Sequence, residues 1–149
     1  SRWAEALREM SGRLEEMLRN VKNERDAAEF IDKNLNDGYE TFAEYFNDYI
    51  AYKRLELPDI MAKSGVSRNY FYNILNGDRN PGRDKIIALC IGAGMNYDET
   101  NRALKIAGTG ILYPKNERDA RIGIAINNRI TSVLELNLIL EREGLRIIE

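Results

Sequence analysis

Histidine is absent from the 149-residue sequence, and Cys90 is its only cysteine. Zinc sites, disulfide frameworks, Ser-His-Asp triads and Cys-His nucleophile pairs all require residues that are missing here. The glycine pairs of the sequence lack the preceding strand and the Gly-Lys-Ser/Thr signature of a phosphate-binding loop. We therefore expect a protein that is not an enzyme and that uses neither a metal nor another cofactor.

Proline, long apolar runs and a large net charge are lacking as well. The sequence has three prolines, and no apolar run approaches the roughly 18 to 20 residues that span a bilayer. Its first residues do not form the basic, apolar and cleavage regions of a signal peptide. A hydrophobic content of 44% with a net charge of -2 is typical of a chain that folds around a core. We expect a soluble cytoplasmic protein that does not bind membranes.

The charge is distributed unevenly along the sequence. Residues 53–85 hold seven basic and four acidic residues, a net charge of +3, while the remainder of the chain sums to -5. An electropositive segment attracts anions, including the phosphates of nucleic acids. This segment is therefore the candidate binding region.

Helical signals occur along the whole sequence. Apolar residues recur at helical spacing and no run alternates with period two, so we predict an all-α fold. Polar residues suited to begin a helix precede several of these runs, namely Thr41, Ser67, Asn96, Asn116 and Ser132. The pattern divides the chain into an N-terminal helical pair (residues 1–40), a central bundle (41–108) and a C-terminal helical extension packed on that bundle (109–149).

An apolar stripe with a seven-residue repeat runs along the first predicted helix. It comprises Trp3, Leu7, Met10, Leu14, Met17 and Val21. An isolated helix of about 20 residues cannot bury such a stripe, so the stripe packs either on the same chain or on a second copy. We predict a homodimer through this stripe; packing on the helix of Phe30, Ile31 and Leu35 is the alternative.

The run from Leu55 to Gly77 has the pattern of two helices joined by a tight turn. Gly65 allows the positive φ that a sharp turn between crossed helices often needs, and Val66 can fill the angle between them. Ser67 is suited to begin the second helix. Residues 67–76 then form a helix that follows the turn directly.

The two faces of this second helix differ in chemistry. Helical spacing places Tyr70, Phe71, Ile74 and Leu75 on one face and Arg68, Asn69, Tyr72, Asn73 and Asn76 on the other. Guanidinium and amide groups can hydrogen-bond to base edges. The polar face therefore indicates nucleic-acid recognition.

Residues 43–107 resemble the helix-turn-helix domain of the phage-repressor and Cro class, also called the xenobiotic-response-element family. The resemblance is carried by Ile60, Ser64-Gly65-Val66-Ser67, Phe71, Ile74, Gly77, Arg79 and Pro81. The wider sequence is also similar to larger proteins of Gram-positive bacteria that are called transcriptional regulators. That similarity is carried by Arg83-Asp-Lys85, the predicted helix 99–107, Leu112-Tyr-Pro114, Arg118-Asp119 and Asn137.

The resemblance implies a sequence-specific, duplex-DNA-binding transcriptional regulator that acts as a homodimer and reads bases with the helix of residues 67–76. Its base-reading positions fall on Arg68, Asn69, Tyr72 and Asn73. We expect phosphate contacts from Ser67 and from basic residues around the motif, namely Lys53, Lys63, Arg79, Arg83 and Lys85.

Two positions differ from the family pattern and leave an alternative open. The family usually has a glutamine where this chain has Leu57, and it prefers alanine where this chain has Met61. The glutamine helps to hold the phosphate backbone. The alternative is a helix-turn-helix fold retained as a protein-protein interaction or signalling adaptor without strong DNA binding.

Overall fold

The computed structural model describes residues 5, 8–9, 12–13 and 38–149. The chain divides into two units, Ser1–Glu40 and Thr41–Glu149. In the first unit, the described residues from Glu5 to Arg13 are helical, as predicted for this segment. The residues of the predicted dimerisation stripe lie outside the described residues, and so do those of its alternative packing partner. That homodimer therefore stays a prediction. The stripe residues concerned are Trp3, Leu7, Met10, Leu14, Met17 and Val21.

Residues 41–149 contain seven α-helices and no strand, which confirms the predicted all-α fold. None of the helices among the described residues is both long and apolar enough to cross a membrane. The helices are α1 (Phe42–Lys53), α2 (Leu57–Ser64), α3 (Arg68–Leu75), α4 (Arg83–Gly92), α5 (Tyr97–Ile106), α6 (Glu117–Asn127) and α7 (Val133–Arg142).

Five of the seven helices in residues 41–149 begin at the polar residues that the sequence indicates, whereas α2 and α4 follow Glu56 and Gly82 without a side-chain cap. The Asn96 side chain accepts the Glu99 backbone N–H at 2.8 Å, and the Glu99 carboxylate accepts the Asn96 N–H at 3.0 Å, which completes a capping box. Thr41, Asn116 and Ser132 each accept a backbone N–H of the first turn of their helix. These bonds satisfy donors that have no partner within the helix.

Helix α4 forms the centre of the unit. Its residues from Ile86 to Gly92 are all buried, and it packs between α2, α5 and α7. Gly92 permits close packing on α2, because a Cβ atom at this position would lie 2.8 Å from the Ile60 carbonyl oxygen. The glycine near the end of this helix is therefore a packing requirement.

Two crossed ion pairs join the C-terminal helices to α4. They form between the dipeptides Arg83-Asp84 and Arg118-Asp119. The Nη2 atom of Arg83 lies 2.8 Å from the Asp119 carboxylate, and the Nη2 atom of Arg118 lies 2.9 Å from the Asp84 carboxylate. Arg118 also donates to the carbonyls of Arg146 and Ile147 at 2.7 and 3.1 Å. The start of α4, the start of α6 and the chain after α7 are thus joined by charged hydrogen bonds.

Candidate nucleic-acid interface

Helices α2 and α3 are joined by a turn of three residues, Gly65, Val66 and Ser67. Gly65 has a φ of 71°, in the left-handed region, and its N–H donates to the Met61 carbonyl at 3.0 Å. The Val66 side chain is buried, and the Ser67 hydroxyl accepts the Tyr70 N–H at 3.4 Å. The predicted roles of Gly65 and Ser67 in the turn and the helix start are confirmed.

Helix α3 presents a polar face on a well-packed apolar base. Phe71 and Ile74 are completely buried, and α3 packs against α1. The Asn47 side chain adds a hydrogen bond to the Leu75 carbonyl at 2.9 Å. Three of the four predicted base-reading residues, Arg68, Asn69 and Asn73, are exposed together, whereas Tyr72 is half-buried.

Tyr72 supports Arg68 on this face. The guanidinium carbon of Arg68 lies 5.3 Å from the centroid of the Tyr72 ring, one helical turn further on. The Tyr72 ring in turn meets Phe71 edge to face, with centroids 5.8 Å apart. The ring therefore links the exposed arginine to the core and restricts its conformations.

A second tyrosine, in α3, has two cations close to its ring. The Tyr70 ring has the Arg79 guanidinium carbon 4.8 Å and the Lys85 ammonium 5.6 Å from its centroid. Gly77, with a φ of 78°, reverses the chain after α3, and the Asp78 N–H donates to the Asn73 carbonyl at 2.9 Å. We call Tyr70, Arg79 and Lys85 the Tyr70 cluster.

The central residue of this cluster is one that sequence reasoning missed. Helical spacing assigned Tyr70 to the apolar face, and the structure shows it half-buried with its ring available to two cations. The sequence pattern that could have identified Tyr70 is a tyrosine at the edge of the apolar face, followed by basic residues after the helix.

Arg83 does not belong to this basic surface. Its guanidinium donates to both carboxylate oxygens of Asp119, at 2.9 and 2.8 Å, and to the carbonyls of Gly110 and Ile111, at 3.1 and 3.0 Å. These bonds hold the connector between α5 and α6. Because its donors are directed into the fold, we assign Arg83 a structural role, which corrects the predicted phosphate contact.

The same contacts set the protonation of the pair. The hydrogen bond to Asp119 raises the pKa of Arg83 despite partial burial. Burial acts to raise the pKa of Asp119, but hydrogen bonds from Arg83 and the Tyr113 N–H and the nearby positive charges lower it overall. Both partners are therefore charged at neutral pH.

The remaining predicted phosphate contacts lie at helix ends. Lys53 and Lys63 are exposed in the last turns of α1 and α2, and Ser67 is exposed at the start of α3 while its hydroxyl caps that helix. Their predicted role stays a prediction.

The start of α2 carries negative charge. Glu56 is its N-cap residue but makes no side-chain capping bond, and Asp59 lies in the first turn; both are exposed. Helix N-termini attract phosphate through their free N–H groups, and carboxylates placed there oppose that attraction. Anion binding is therefore favoured beside Arg79 and Lys85 rather than at the start of α2.

Comparisons with known protein families, curated proteins and solved structures find no match to this chain. Within residues 38–149 and the few described positions before them, no cluster of three or more acidic, cysteine or histidine side chains is arranged to bind a metal. The exposed face of α3 and the Tyr70 cluster are therefore the candidate binding surface.

Proposed function

We propose that this protein is a sequence-specific transcriptional regulator that binds duplex DNA by inserting α3 into the major groove. The observation that carries the proposal is the joint exposure of Arg68, Asn69 and Asn73 on a helix whose opposite side is anchored by Phe71 and Ile74. An α-helix fits the major groove, where the pattern of donors and acceptors differs for every base pair.

The side chains on α3 suit particular base edges. Arginine pairs with the O6 and N7 atoms of guanine, and asparagine pairs with the N6 and N7 atoms of adenine. Arg68 is therefore the candidate guanine reader, and Asn69 and Asn73 are candidate adenine readers. Tyr72 supports Arg68 and contributes little direct reading, since its ring is half-buried and already lies beneath the guanidinium.

The Tyr70 cluster supplies the sequence-independent part of binding. Arg79 and Lys85 flank α3, where they can reach the phosphates that border the groove. A single helix reads only a few base pairs, so two copies on half-sites about one helical turn apart would provide the specificity of a regulator. The functional unit is accordingly a homodimer.

The test is a selection of bound sequences from random duplex DNA at two salt concentrations, followed by affinity measurements on the selected site and on random duplex. Arg68→Ala and Asn73→Ala should each weaken binding to the selected site by about 1 to 3 kcal/mol and weaken random binding less. Arg146→Ala, which removes an exposed arginine from the chain after α7, is the control and should bind as the parent does. Equal losses on both duplexes would contradict base reading by α3.

A protein-binding adaptor is the second candidate function. It is favoured by the exposed carboxylates of Glu56 and Asp59 at the start of α2, which oppose phosphate binding there. Failure of the parent protein to bind any duplex at low salt would replace the DNA proposal with this one.

A further inference from the structure

Helix α7 has a second apolar side that faces solvent. Leu134 and Leu138 lie one turn apart and are 73% and 60% exposed, while Val133, Leu136 and Leu140 on the other side are buried. Helix α6 packs beside α7, and its Ile124 is 52% exposed. Adjacent exposed leucines on one helix face are a feature of interaction surfaces.

Opposite charges border these leucines. Glu135 and Arg142 are separated by two helical turns and lie on the same side of the Leu134–Leu138 line. Both are exposed, and neither forms an ion pair within residues 38–149 or with the earlier residues that the structure describes. Seven residues correspond to about 10 Å along the helix axis, so the two charges do not pair with each other.

This arrangement is self-complementary under a two-fold rotation. An axis perpendicular to α7 beside Leu138 places Leu138 against its equivalent in a second copy. The same rotation places Glu135 against the partner's Arg142, and symmetry generates this contact twice. A parallel two-fold would place the Glu135 side chains of the two copies at opposite edges of the contact, and likewise those of Arg142, so neither ion pair would form. Exposed ion pairs contribute little affinity, but they favour the antiparallel arrangement, because only that arrangement forms them.

We propose that two copies of this protein pair through antiparallel α7 helices, with Leu134 and Leu138 at the contact and Glu135 facing the partner's Arg142. The inference rests on the homodimer of the proposed function but not on DNA binding. It assigns the contact to α7, whereas the sequence predicted it in the stripe from Trp3 to Val21. No DNA is needed to test it.

The first test measures self-association of the full chain by sedimentation over a range of concentrations. Leu138→Glu should raise the dimer dissociation constant about a hundredfold, because each copy loses an apolar contact and gains a charge at the interface. Ser132 and Glu135 begin the helix independently of this side chain, and Leu138 is largely exposed, so the variant should melt as the parent does.

A charge exchange provides the matched control. Glu135→Arg and Arg142→Glu, made singly, each oppose like charges and should weaken the dimer by about threefold to tenfold. The double variant restores opposite charges across the two-fold axis and should recover the parent dissociation constant. Recovery cannot arise within one chain, since the two positions are two turns apart.

The orientation is tested by disulfide formation. Leu138→Cys lies beside the proposed axis and should form a cross-linked dimer under mild oxidation, whereas Leu134→Cys lies too far from its equivalent to do so. The native thiol of Cys90 is fully buried and does not interfere. Cross-linking at both positions would indicate parallel helices and overturn the antiparallel pairing.

Other results distinguish this inference from the DNA proposal. A monomeric parent, or a dimer that Leu138→Glu leaves intact, overturns pairing through α7 whether or not the protein binds DNA. A dimer that behaves as expected but binds no duplex supports pairing through α7 and removes the proposed regulatory function.

Discussion

Arg79 and Arg83 belong to the same basic segment of the sequence but have opposite surroundings in the structure. Arg79 is exposed and lies over the Tyr70 ring, a partner that leaves its positive charge unneutralised. Arg83 donates to the Asp119 carboxylate and to two backbone carbonyls. An aromatic partner leaves the positive charge available to an external anion, whereas a carboxylate partner neutralises it.

The positive charges of the basic segment are therefore not equivalent. The net charge of +3 over residues 53–85 includes both Arg83 and Asp84, which are balanced by Asp119 and Arg118 outside the segment, so the net charge does not show which cations are available. Of the other cations in the segment, Arg68, Arg79 and Lys85 lie on or beside α3 with tyrosine rings as partners. A sum over sequence neighbours cannot separate these two kinds of cation, because the balancing carboxylate comes from a distant helix.

The largest expected effect is the loss of stability when Arg83 loses the Asp119 carboxylate. Asp119→Asn should reduce the free energy of unfolding by about 2 to 4 kcal/mol, because Arg83 stays in place without its counter-charge. Urea denaturation measures the loss. Arg121→Gln is the control: its ion pair with Glu143 has partly exposed partners 3.4 Å apart, and its loss should cost less than about 1 kcal/mol.

The pH dependence of stability provides a second readout for the same pair. The pKa of Asp119 is lowered from its usual 3.8, so its contribution to stability is complete above that value and is lost as the pH falls through the lower folded-state pKa. The parent should therefore lose stability in acid more steeply than Asp119→Asn does. Identical acid profiles for the two proteins would contradict the assignment of Arg83 to the fold.

An intermediate effect is expected on DNA binding. Arg79→Gln should reduce the magnitude of the log-affinity versus log-salt slope by about 0.9, the value for one lost phosphate contact, without changing thermal stability. Arg83→Gln should do the reverse, lowering thermal stability while leaving the slope unchanged for the folded protein. A slope that falls equally in both variants would show that Arg83 also faces the phosphates.

Much of the fold is predictable from the sequence because it depends on local chemistry. Asn96 and Glu99 are close enough in sequence to cap one helix together, and the positive φ at Gly65 follows from the residue type. The polar and apolar faces of α3 follow from helical periodicity, which correctly places Phe71 and Asn73 on opposite sides.

The contacts that could not be predicted join residues distant in the sequence. The partner of Arg83 is 36 positions away, and Asn137 binds the backbone N–H and carbonyl of Ile148 beyond the end of α7. Neither partner is specified by helical spacing. The repeated Arg-Asp dipeptide at the starts of α4 and α6 was a visible signal, but only the packing of the helices shows that the two dipeptides exchange ion pairs.

The smallest expected effect is the change in DNA affinity when the Tyr70 ring is removed. Tyr70→Phe retains a ring for Arg79 and Lys85, whereas Tyr70→Leu retains apolar bulk but removes the ring. Because an exposed cation–π contact contributes about 0.5 to 1 kcal/mol, Tyr70→Leu should weaken binding to every duplex by about twofold to fivefold, and Tyr70→Phe should bind as the parent does.

The loss in Tyr70→Leu should be independent of base sequence, because the ring positions cations for phosphates and leaves the reading residues on α3 in place. Binding isotherms on the selected site and on random duplex, at matched salt, measure both quantities. If Tyr70→Leu lost affinity only on the selected site, Tyr70 would act through the orientation of α3. If Tyr70→Phe lost as much as Tyr70→Leu, the hydroxyl rather than the ring would be responsible. In either case, the difference between cations that lie over a tyrosine ring and cations paired with a carboxylate would not explain DNA binding.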